Sequence, residues 1–113
     1  MAARDDSQND HLLCCLLWAR EGRLQDLHDY EDAVLAFLPD HGAEVFLRVF
    51  GDGAETDPDE VQLLRFPDPR AVEVFVADPR RGALSGERER AVPRTVTFPV
   101  TVPAARGAGV AGS

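Results

Sequence analysis

The chain has 113 residues, 44% hydrophobic and 28% charged, which is one domain of ordinary globular composition. Its net charge of -8 excludes roles that depend on neutralising phosphates, so neither nucleic acid nor an anionic membrane surface is expected as a partner. Every basic residue is Arg, and the lack of Lys excludes Schiff-base chemistry and a lysine base.

Residues 1–10 are polar and acidic and read as a disordered lead-in, without the basic start and apolar stretch of a signal peptide. No apolar run approaches membrane-spanning length, and a cytoplasmic location is expected. Leu12 to Trp18 is continuously apolar, which predicts a central strand covered on both faces. It contains the only cysteines, Cys14 and Cys15. Neighbours on a strand point to opposite faces, so these are expected to be inert thiols in a reducing compartment and not a redox pair. The three histidines, His11, His28 and His41, are scattered, and no spacing suggests a metal site or a bound cofactor.

Arg23 to His41 carries Leu24, Leu27, Val34, Leu35 and Leu38 at helical spacing, closed by Pro39 and Gly42. Val45, Leu47 and Val49 alternate with Phe46, Arg48 and Phe50, which predicts a strand. After an acidic loop, Gly51 to Asp59, a third strand is expected from Glu60 to Phe66. Asp68-Pro69 is a helix start for a short second helix ending near Asp78-Pro79. The charged stretch Arg80 to Arg90 is expected to add a further helical turn, and Thr95 to Thr101 is the last strand. Pro99 within it argues for a sheet edge or a bulge. Residues 103–113 read as a flexible tail, leaving 11–102 as the domain.

The order β-α-β-β-α-β gives an α+β fold: a ferredoxin-like, four-stranded antiparallel sheet with two helices on one face. Two helices leave the other face uncovered. Strands two and three are read as showing Phe46, Phe50, Leu64 and Phe66 there, so two sheets packed face to face in a homodimer are expected.

Four segments carry a more specific resemblance: Tyr30-Glu31-Asp32-Ala33-Val34-Leu35, Asp40-His41-Gly42-Ala43, Val61 to Pro67 and Phe75 to Arg81. They resemble the dimeric α/β-barrel superfamily, in a branch of unknown function distantly related to antibiotic-biosynthesis monooxygenases. The sequence departs from that branch at Ala43, Arg65 and Asp68. The resemblance implies a ferredoxin-like protomer whose sheet pairs with its twin to enclose a barrel. Its relatives include cofactor-independent monooxygenases and isomerases; fold alone does not assign a reaction.

Candidate catalytic residues are His41, His28 and Tyr30, through proton transfer or a hydrogen bond to a ligand oxygen. The structural alternative for His41 is a helix C-terminal cap, and for the acidic face around His28 it is simple solvation. Candidate substrate-binding residues are Arg48, Arg65, Trp18, Phe46 and Phe66. The two arginines could bind an anion or stabilise an enolate inside the barrel, or form rim salt bridges with Glu44, Glu60 or a carboxylate of the second copy. Two readings stay open. One is a dimer that binds, and transforms, a small apolar or aromatic metabolite without metal or bound cofactor; the other is a non-catalytic ligand-binding or structural dimer.

Overall fold

Four strands carry the architecture: β1, His11–Trp18; β2, Glu44–Phe50; β3, Glu60–Phe66; and β4, Arg94–Val100. The structure is a computed structural model that describes residues 10–103. The expectations for a lead-in before Asp10 and a tail beyond Pro103 lie outside the described residues. The strands form one antiparallel sheet in the order β2-β3-β1-β4. The most apolar strand, β1, is therefore interior, and Pro99 sits on an edge strand as its missing N–H requires.

Between β1 and β2 runs α1, Leu24–Leu35, followed by a separate 3-10 turn, Leu38–His41. The helix stops short of the expected His41. Pro39 has no N–H to donate to a continuing α-helix, so the chain tightens into the 3-10 turn. Gly42 then closes it with φ 70°, a left-handed position that suits glycine. After β3, Asp68 caps α2, Pro69–Val76, by accepting from the Ala71 N–H at 2.8 Å. The charged stretch beyond it contains two short helices, α3 (Pro79–Gly82) and α4 (Ser85–Ala91), where the sequence predicts a further helical turn.

The helices cover one face of the sheet. Leu13, Cys15 and Leu17 of β1 point to that face and are buried with Leu27, Val34 and Leu38. The same face takes Glu60, Gln62, Leu64 and Phe66 of β3, all buried. This corrects the expected uncovered face: Phe66 is fully buried among the helices, and Leu64 joins it. On β3 the uncovered residues are Val61, Leu63 and Arg65. A register shift between Val45 and Leu47 puts a bulge in β2. After it Leu47 and Val49 lie opposite Leu63 and Val61, whereas Phe50, opposite Glu60, turns to the helix side and stacks on His28 at 3.8 Å. The uncovered face is still strongly apolar, since Phe46, Leu47, Val49 and Phe98 remain exposed on it.

Candidate functional site in the helix–sheet cleft

The helices do not seal the sheet completely. A cleft of about 210 Å³ remains between β1, β3, β4 and the helical layer. Its walls are mainly apolar, with Leu13, Leu17, Val34, Leu64, Phe66 and Phe75 among them. Into this surface project Tyr30 and Glu31 from α1, Gln62 from β3, Cys15 from β1, and Thr95 and Thr97 from β4. Arg81 of α3 and Arg88 of α4 complete the lining. An apolar pocket with a few convergent polar groups is the usual form of a small-molecule site.

Glu31 is the most consequential of these groups. It is only 6% exposed. Burial holds its carboxyl above the usual range, with a hydrogen bond from Gln62 opposing the rise and the nearby Glu60 adding to it. Such a carboxyl exchanges a proton closer to neutral pH than a solvated one. Cys15 behaves differently. Burial pushes its thiol up to about 11, against a lowering contribution from Thr97, so at neutral pH it is a protonated and inert wall residue. Burial also raises Tyr30, keeping its phenol a hydrogen-bond donor. The Thr95 hydroxyl oxygen is buried and has no hydrogen-bond partner in the structure.

Behind the cleft wall lies a connected polar network. The Gln62 side-chain amide donates to Glu31 Oε1 at 2.9 Å and to Glu60 Oε2 at 2.8 Å. Glu60 is fully buried, yet its oxygens also meet His28 Nδ1 at 2.7 Å and accept from Arg48 Nε at 2.6 Å. Arg48 reaches on to Asp32 Oδ1 at 2.6 Å and to the His28 carbonyl at 3.2 Å. A buried charge this well partnered escapes the large penalty of isolated burial. The network thereby fixes Gln62, and Gln62 fixes the rotamer of Glu31.

The residues singled out in the sequence therefore fall into three places. Tyr30 and Phe66 line the cleft; His28 and Arg48 stand together one layer behind it. Trp18, Phe46 and Arg65 belong to the opposite, uncovered face. There Arg65 pairs with Glu44 and with Asp10 at 3.0 Å, while Trp18 donates to the Thr56 carbonyl and lies under Arg94. His41 meets neither group. Its Nε2 contacts Asp78 Oδ2 at 2.8 Å, and its ring meets Phe75 edge-on, pinning the 3-10 turn to the start of α3. The guanidinium of Arg80, then His41, hold the Asp78 carboxyl well below the usual range.

Fold comparison agrees with this architecture. A putative antibiotic biosynthesis monooxygenase from Bacteroides thetaiotaomicron aligns with TM-score 0.66 at 16% identity, over 87% of this chain and 95% of that one. A dimeric protein of unknown function and ferredoxin-like fold from Bacteroides fragilis aligns with TM-score 0.63 at 9% identity, over 82% and 96%. SnoaB, a cofactor-independent oxygenase from Streptomyces nogalater, aligns with TM-score 0.65 at 10% identity, over 84% and 94%. The protomer has a ferredoxin-like fold. No family model and no curated protein matches the sequence.

Within this ferredoxin-like protomer the groups that sequence reasoning missed are Glu31, Gln62, Thr95, Thr97, Arg81 and Arg88. Glu31 lay hidden in a run of carboxylates, Asp26, Asp29, Glu31 and Asp32, that reads as a solvated face. One signal was present: Glu31 lies one helical turn from both Leu27 and Val34, on the apolar stripe. Among the described residues, no three His, Cys, Asp or Glu side chains are grouped to hold a metal ion.

Proposed function

We propose that the chain forms a homodimer whose protomers each bind a small apolar or aromatic metabolite in the helix–sheet cleft, where Glu31 exchanges a proton with it. The observation that carries this reading is a buried carboxyl, held by Gln62, in the wall of an apolar cleft. Burial makes Glu31 a stronger base than a solvated carboxylate, and the low-dielectric wall strengthens its pull on an acidic C–H or O–H bond. Tyr30 donates a hydrogen bond to the oxygen on which negative charge collects, and Phe66 supplies flat contact area for a ring. The reading needs neither a metal nor a bound cofactor. His28 and Arg48 act through Glu60 and Gln62, as positioning residues. The apolar face bearing Leu47, Val49 and Phe98 supports the homodimer, and the B. fragilis neighbour is described as dimeric.

Proton exchange can be tested without knowing the natural substrate. β-Tetralone, an enolisable aromatic ketone, is incubated with the protein in D₂O and its loss of α-protons followed by NMR. The wild type should accelerate exchange, and Glu31→Gln should slow it by about a hundredfold, the scale of one acid–base group. Acceleration that survives Glu31→Gln would remove Glu31 from this role. A non-catalytic ligand-binding or structural dimer is the second reading. It is favoured by the engagement of His28, His41, Arg48 and Arg65 with carboxylates, which makes them parts of the scaffold. Binding of tetralone without exchange would favour it.

A further inference from the structure

The cleft's charge distribution says more about its ligand than its size does. Of the residues that line it, Glu31 alone carries a carboxyl group, and one oxygen of that group is already taken by the Gln62 side-chain amide. Two guanidinium groups, from Arg81 and Arg88, line the same space. Neither has an ion-pair partner among the described residues, although Arg80 and Arg90 beside them do. Arg81 is half-buried, its guanidinium 4.7 Å above the Phe75 ring, which holds it at the apolar wall. Its positive charge favours the ionised forms of Cys15, Tyr30 and Glu31, in each case against the larger effect of burial. The Thr95 hydroxyl is buried and unpartnered in the same lining, a donor left without an acceptor.

A half-buried guanidinium and a buried hydroxyl without partners in an apolar lining, with a second guanidinium at an exposed position beside them, are complementary to an anion carried on an apolar body. The geometry points to an apolar, ring-bearing acid as the ligand, its anionic oxygens taken by Arg81 and Arg88 with Thr95 and its ring laid against Phe66 and Phe75. This inference rests on the helix–sheet cleft being the binding site and adds the charge of what binds there. Guanidinium groups recognise carboxylate, enolate and phenolate oxygens by charge-assisted hydrogen bonds, which are stronger than neutral ones. A neutral ligand of the same shape would leave the half-buried Arg81 guanidinium unpaired against the apolar wall.

The test compares naphthoate with its neutral isostere naphthamide by calorimetry, with binding located from backbone amide shifts at Tyr30 and Thr95. Wild type should bind naphthoate about tenfold more tightly, the worth of one charge-assisted hydrogen bond. Arg81→Gln/Arg88→Gln should bring the two affinities together while leaving naphthamide binding in place. Arg88→Gln alone, at an exposed position, should narrow the gap and serves if the double variant does not fold. Equal affinities in the wild type, with shifts at Tyr30 and Thr95, would overturn the charge preference and leave the cleft as the site. A preference that persists in the arginine variants would overturn their role. No binding of either compound would overturn both this inference and the cleft reading on which it rests.

Discussion

Two carboxyl groups with opposite shifts show how residue environments divide structure from chemistry. Glu31 sits above its ordinary value of 4.5 because it is buried, so the folded chain holds its proton more tightly than the unfolded chain. The stability linked to that proton is fully present below pH 4.5 and is lost as pH rises through the higher folded value. Glu31→Gln keeps an acceptor for Gln62 and carries no charge. It should therefore be more stable than the wild type at neutral pH, by roughly 1 kcal/mol in urea denaturation, with the gain vanishing in acid. Asp78 runs the other way. Held down by Arg80 and then His41, it contributes stability that is present above its ordinary 3.8 and lost as pH falls through the lower folded value. Asp78→Asn should lower the melting temperature at neutral pH and converge on the wild type in strong acid. Glu31 thus costs stability in its charged form, whereas Asp78 adds it.

At the scale of elements, the short α4 matters beyond its length because it brings Arg88 to the cleft and leads directly into β4. Seven residues hold too few internal hydrogen bonds to be stable alone. Its end is held by Arg20, whose N–H donates to the Ala91 carbonyl at 2.9 Å and whose guanidinium donates to the carbonyls of Glu89 and Arg90. Buried Ala91 and Val92 complete the attachment. Arg20→Ala should speed amide exchange in α4 while leaving β1 and β3 protected, at a cost of about 1 kcal/mol to local stability. Uniform protection in that variant would show that burial of Ala91 and Val92 suffices. Sequence periodicity could not have placed this helix, because Ser85–Ala91 has almost no apolar face and is held by a contact from Arg20, seventy residues away.

For the whole molecule, the uncovered sheet face decides the assembly. Phe46, Leu47, Val49 and Phe98 are between 39% and 55% exposed on the same face, the kind of apolar surface that marks a partner-binding face. The wild type is expected to sediment as a dimer at micromolar concentration. Leu47→Asp should sediment as a monomer with its helical circular dichroism intact, since the side chain is half exposed within the protomer. A wild type that sediments as a monomer would sink the face-to-face pairing.

How much of this was legible beforehand follows from which interactions are local. The order of the four strands and two main helices, the Asp68 cap and the Gly42 stop depend on residues within a few positions of one another, and the sequence by itself determined them; Pro99 left an edge strand or a bulge open, and the sheet order made it an edge. Which face of β3 meets the helices was decided only by the tertiary structure. Val61 and Leu63 are as apolar as Leu64 and Phe66, so alternation defines two faces without ranking them. The ranking comes from Glu60 and Gln62, which read as outward polar residues yet point inward because His28, Arg48 and Glu31 satisfy them there. Those partners lie 32, 12 and 31 residues away along the chain. A buried polar group can be recognised only once its partners are in place, and the cleft with Glu31 at its wall exists only where α1 has come down on the sheet.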